Sequence, residues 1–152
     1  GWLAVVALPF ATSLIWLEGI NDFSKNGNAG SDKVIAAMKD GVARLRAKWP
    51  ELRIIGATVT TALGSSSAAH GFAEQDAKRK ALNEFIRTSG TFNGVIDFDA
   101  VLRDPAQPTK FAPKYDSGDH LHPNDAGYEL MANTISLEML AARPAAPQTA
   151  GR

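Results

Sequence analysis

Ser13-Leu14-Ile15-Trp16-Leu17-Glu18-Gly19-Ile20-Asn21-Asp22 is a nearly unbroken apolar run that stops at a glycine. A strand covered by helices on both faces reads this way, because neither face alternates with polar residues. The run predicts a buried strand over residues 13–17 and a loop over 18–22. That loop lies at the strand's carboxyl end, the edge of an open α/β sheet where ligand sites form.

Outward from this strand the chain alternates. Ser31 is suited to cap a helix from Asp32 to about Lys48, with Val34, Ile35, Met38, Val42 and Leu45 on one face and Lys33, Lys39, Asp40, Arg44 and Arg46 on the other. Trp49-Pro50 ends it, and residues 53–59 read as the next strand. Residues 60–72 are rich in Ser, Ala and Gly and form a second loop on the same rim. A helix over 73–88 follows, with Ala77, Ala81, Leu82, Phe85 and Ile86 inward and Gly90 after it. Residues 95–98 make a third strand and residues 99–102 a helical turn. The last helix spans about 124–142, with Tyr128, Met131, Ile135, Met139 and Leu140 inward. Strand and helix in strict alternation give a parallel sheet with right-handed crossovers, a doubly wound α/β layer.

Composition narrows the function. The chain has 152 residues, 45% apolar and 21% charged, which is the range of an ordinary globular domain. Sixteen basic residues balance sixteen acidic ones without a Lys/Arg cluster, so nucleic acid is not an expected partner. No cysteine is present, which excludes disulfides and thiolate metal sites and assigns no compartment. Residues 1–17 carry no charge, yet they are short for a span of about 20 residues, lack a basic start and contain Pro9. Residues 4–9 are read as a connection, and stable membrane insertion is not expected. Residues 144–152, rich in Pro and Ala, are read as a disordered tail, leaving a domain over 1–143.

The second informative block is Tyr115-Asp116-Ser117-Gly118-Asp119-His120-Leu121-His122-Pro123-Asn124-Asp125-Ala126-Gly127-Tyr128. Asp119 and His122 stand three apart in a Gly-containing turn, and Pro123 suits the first turn of a helix. A carboxylate on the donor side of an imidazole fixes the tautomer and leaves the other nitrogen free as a base. The same residues also serve as helix caps, so the pattern has a purely structural reading beside the catalytic one. His120 is read as exposed or packing, and His70, which has no metal-binding partners in the sequence, as exposed.

Asp119-His120-Leu121-His122-Pro123 resembles the Asp-x-x-His-Pro block of the SGNH, or GDSL-like, hydrolases. Asn124-Asp125-Ala126-Gly127-Tyr128 is similar to the helix start that follows it there. Gly19-Ile20-Asn21-Asp22 resembles the family's Gly-x-Asn-Asp block, roughly a hundred residues upstream. The resemblance implies a three-layer α/β/α, flavodoxin-like fold and hydrolysis of a small-molecule carboxylic ester by an esterase or lipase without cofactor or metal. It implies that His122 is the base, Asp119 its orienter and Asn21 an oxyanion donor, with Gly19 and Asp22 as supports. For Asn21 the structural alternative is a turn residue bonding its own backbone. Likeness to bacterial lipolytic enzymes implies a secreted or periplasmic location.

The chain departs from the family in one respect. The nucleophile belongs to a Gly-Asp-Ser block that should precede Gly19, and no such block stands there. The expectation is an incomplete domain with its N-terminal strands missing, the nucleophile outside this chain and the strand at 13–17 left as an edge open to self-association. Ser65, Ser66 and Ser67 are poor substitutes, since a flexible run does not hold a nucleophile against its base. A catalytically silent α/β module with the same fold is the alternative.

Overall fold

The strands β1 (Ser13–Trp16), β2 (Arg53–Ala57) and β3 (Gly94–Ile96) form a parallel sheet in that order. Parallel neighbours require long crossovers, and helices α1 (Ser31–Lys48) and α2 (Ala73–Thr88) supply them. The structure is a computed structural model and describes residues 11–141. The readings of residues 1–10, of Ala142 as a helix end and of the tail at 144–152 lie outside the described residues. Among the described residues β1 pairs with β2 alone, Ile15 opposite Ile55, and no helix is long and apolar enough to cross a membrane.

Alternation along the strands assigns the layers. Ile54 packs with Val42, Leu45 and Leu14 on the α1 side. Its neighbour Ile55 faces the other way, with Ala57, Ile96, Ile15, Met131, Ile135, Met139 and Leu140. The latter four side chains come from α4 (Asp125–Thr134), from α5 (Leu137–Ala141) and from the link between them. Helices on both faces of a parallel sheet make the expected three-layer α/β/α arrangement.

Several boundaries differ from the sequence reading, each for a visible reason. Helix α1 begins at Ser31 itself, so Gly30 occupies the cap position and no side chain caps the end. Strand β2 stops at Ala57 because Asn83 of α2 takes both main-chain groups of Val59, accepting from its N–H at 2.7 Å and donating to its carbonyl at 2.8 Å. The predicted inward Ala77 and Ala81 are exposed. Helix α2 instead buries Gln75, Asp76, Arg79 and Asn83 beside Leu82 and Ile86, because these polar side chains satisfy loop groups at the sheet's carboxyl edge. Strand β3 ends at Ile96, and Asp97 caps α3 (Phe98–Leu102) by accepting from Ala100 N–H at 3.1 Å.

The last predicted helix is two helices. Thr134 Oγ1 donates to the Leu130 carbonyl at 2.8 Å, a back-bond that bends helices, and Ser136 Oγ accepts from Met139 N–H at 3.3 Å to start the next one. Tyr128 is 52% exposed rather than inward. Pro123 lies ahead of the helix, bridged antiparallel to Asp116, and Asn124 is the cap.

Candidate active site

The Asn21 turn follows β1 directly. Gly19 has φ +130°, a conformation that side chains rarely adopt, and a Cβ there would stand 2.6 Å from Leu82 Cδ2. The chain then doubles back. Phe23 N–H donates to the Gly19 carbonyl at 3.2 Å, while the Phe23 ring is fully buried and anchors the turn in the core. The Asn21 carbonyl accepts from Ser24 N–H and, at 2.6 Å, from Ser24 Oγ. The Asn21 residue is exposed, and its side-chain amide has no hydrogen bond to the described residues. Among the described residues the side chain therefore does not bond its own turn. The Asp22 main-chain carbonyl accepts from Ala29 N–H at 2.9 Å.

The Asp119 turn is built around one carboxylate. Oδ1 accepts from the N–H groups of Leu121 and His122 at 2.9 and 2.8 Å and from Ser117 Oγ at 2.8 Å. Oδ2 lies 2.6 Å from His122 Nδ1. Burial by itself raises the Asp119 carboxyl, but the donors from His122, Leu121 and Ser117 outweigh it and hold the group well below the usual carboxylate range. An ionised carboxylate only accepts, so Nδ1 carries the proton and Nε2 of neutral His122 is the basic nitrogen. The turn is seated on the fold by Asn124, whose Oδ1 accepts from Gly127 N–H at 3.0 Å while its amide donates to the carbonyls of Lys114 and Asp116.

His120 is exposed, as expected, and is also paired. It has φ +57° and its Nδ1 is paired with the Asp116 carboxylate, making a second Asp–His pair in the same turn. Asp116 Oδ1 also accepts from the N–H groups of Gly118 and His120.

The loop over residues 58–72 joins these two turns. Lys25 N–H donates to the Ala69 carbonyl at 3.0 Å, and Ser66 N–H donates to the Asp119 carbonyl at 3.1 Å. Gln75, 1% exposed, donates to the Ile20 carbonyl at 3.2 Å and lies 2.7 Å from His70 Nδ1. His70 is therefore half-buried and bonded rather than exposed. Its imidazole is pushed down from the ordinary value first by burial and then by the charge of His122, which brings the two rings into one electrostatic neighbourhood. Asn21, His70 and the Asp119–His122 pair thus share the sheet's carboxyl edge. Gln75 escaped the sequence reading because a polar residue on a helix gives no hint of a partner 55 positions away.

Ser65 Oγ and Ser67 Oγ accept from the N–H groups of Ser67 and Ala69, as loop-forming hydroxyls do. Among the described residues no group of three or more His, Cys, Asp or Glu side chains could hold a metal ion.

Comparison with known proteins agrees with this architecture. The model of the GDSL-like Lipase/Acylhydrolase family matches residues 3–130. A sequence comparison with curated proteins finds no match. Among solved structures, a GDSL-like lipase from Bacteroides thetaiotaomicron is similar with TM-score 0.69 and 17% identity, over 81% of this chain and 59% of that one. An acetyl esterase mutant with acetate ion gives TM-score 0.58 and 20% identity over 82% of this chain and 55% of that one. A carbohydrate esterase of family 3 from Talaromyces cellulolyticus gives TM-score 0.57 and 20% identity over 81% and 54%. The chain therefore spans less than three fifths of the length of each of these structures.

Proposed function

Because the chain belongs to the family of GDSL-like lipases and acylhydrolases, we propose that it is the part of a serine ester hydrolase that carries the base, its orienter and one oxyanion donor. The single observation that supports this most is the 2.6 Å contact of Asp119 Oδ2 with His122 Nδ1 at the carboxyl edge of a parallel sheet. The nucleophilic serine belongs to a Gly-Asp-Ser block outside this chain.

The chemistry follows from the donors and acceptors. His122 Nε2 takes the proton of the serine hydroxyl as its oxygen attacks the ester carbonyl carbon. The resulting imidazolium is stabilised by Asp119, which stays ionised. Negative charge builds on the carbonyl oxygen and is met by the Asn21 side-chain N–H. His122 then gives the proton to the departing alkoxide, the alcohol leaves, and water repeats the cycle on the acyl-enzyme. The substrate is a small-molecule ester. Export from the cytoplasm, implied by likeness to bacterial lipolytic enzymes, belongs to the same reading.

A fluorophosphonate ester that traps activated serines tests this assignment in the protein that includes the upstream block. Mass spectrometry should find the label on the Gly-Asp-Ser serine, and His122→Ala should prevent labelling. Label on Ser65, Ser66 or Ser67 would overturn it.

A further inference from the structure

Gln75 fixes its own orientation. Its Oε1 accepts from Gly71 N–H at 2.8 Å, and its Nε2 faces the Ile20 carbonyl at 3.2 Å. An N–H can only donate and a carbonyl can only accept, so oxygen and nitrogen of this amide cannot be exchanged. The second N–H of the same Nε2 therefore points to His70 Nδ1, 2.7 Å away, and that ring nitrogen must accept. A neutral imidazole that accepts at Nδ1 carries its proton on Nε2. His70 and His122 hence have opposite tautomers: the first is a donor at Nε2, the second a base at Nε2.

The donor is held rather than free. Gln75 is 1% exposed and ties His70 to the carbonyl that precedes Asn21, while Ala69 and Ser66 of the same loop bond Lys25 and Asp119. His70 Nε2 is turned away from Gln75, and none of the described residues hydrogen-bonds it. Burial and the nearby His122 both disfavour charge on the ring, so it remains a neutral donor when His122 gains a proton.

We propose that His70 is a specificity-determining residue, its Nε2–H presented by Gln75 to an acceptor oxygen beside the scissile ester. The site accordingly favours esters of oxygen-bearing alcohols over esters of plain alkyl alcohols. The inference rests on the esterase reading above and adds the substrate class to it. A donor in a half-enclosed site discriminates because an alkyl group leaves it unpaired.

The test compares glycerol monoacetate with propyl acetate, which share a carbon chain and differ only in oxygens, using the protein that includes the upstream block. His70→Phe should lower the ratio of their kcat/KM values about 3–10-fold, the worth of one neutral hydrogen bond. His70→Gln, which keeps an N–H near the Nε2 position, should restore most of it. An unchanged ratio in His70→Phe would overturn the proposal. Nitrogen NMR of the histidine rings gives an independent readout: His70 protonated at Nε2 agrees with it, and protonation at Nδ1 contradicts it. Loss of hydrolysis of both esters in the parent protein would instead overturn the esterase reading, while the NMR result would still decide the His70 tautomer.

Discussion

Asp119 and His122 are joined twice: Oδ2 meets the ring at Nδ1, 2.6 Å away, and Oδ1 accepts the backbone N–H of the same histidine at 2.8 Å. The carboxylate thus fixes the ring's tautomer and the path of the chain that carries it. Asp119→Asn keeps the size but not the acceptor pair, and an amide N–H directed at Nδ1 selects the wrong tautomer. Ester hydrolysis should fall by about 10²–10⁴-fold in kcat with KM little changed, as steady-state kinetics would show. Equal losses in kcat and in binding would contradict this role.

The same carboxylate gives a pH dependence of stability. Its folded-state pKa lies below the ordinary value of 3.8, so the unfolded chain binds the proton more readily. The stabilisation is fully present above about pH 4 and is lost as pH falls through the folded value. Urea midpoints of the parent and Asp119→Ala should differ at neutral pH and converge in acid. His70 acts in the same sense near its ordinary 6.5, its depressed pKa adding stability above that pH that fades as pH falls.

Asn21→Ala should lower kcat by about 10²–10³-fold and leave KM nearly unchanged, because an oxyanion donor acts on charge that exists only in the transition state. A variant that loses binding and keeps turnover would show that Asn21 holds the substrate instead.

Beneath the site, Arg79 is 1% exposed and reaches Asp76 Oδ1 at 2.8 Å, Asp99 Oδ1 at 2.6 Å and the Val59 carbonyl at 3.0 Å. Removing it leaves buried carboxylates short of a partner, so Arg79→Ala should cost about 3–5 kcal/mol in a urea melt. A change under about 1 kcal/mol would mean that Arg87, Arg103 and Lys80, which also reach these carboxylates, replace it fully.

These cases separate what the sequence made legible from what it did not. The strands at Ser13 and Arg53 announce themselves as apolar runs, and Asp119 with His122 lies within one turn, where spacing alone implies contact. The polar face of α2 was hidden. Helical periodicity sorts apolar from polar residues, and it assigned Ala77 and Ala81 inward because nothing local marks Gln75, Arg79 and Asn83 as partners of loops 20 to 55 positions away. The break at Thr134 was hidden too, since a back-bonding threonine reads as an ordinary helix residue.

Among the described residues β1 has β2 as its one strand neighbour, and this too has a consequence. A groove of about 510 Å³ runs beside it, lined by Leu14, Trp16, Leu17, Val34, Met38 and Leu45 among others. An apolar strand edge without a neighbour invites another strand, and we propose that the 152-residue chain made by itself self-associates. Light scattering should report species larger than a monomer, and Leu17→Lys should reduce them. A monodisperse monomer would contradict the prediction.

The most direct test of the central claim is ester turnover by a chain extended to carry the proposed upstream Gly-Asp-Ser block, measured for His122→Ala beside His120→Ala. Both histidines are paired with carboxylates in one turn, yet only His122 is assigned as the base. His122→Ala should abolish hydrolysis while His120→Ala retains most of it. Substantial turnover in His122→Ala, or a loss confined to His120→Ala, would contradict the assignment.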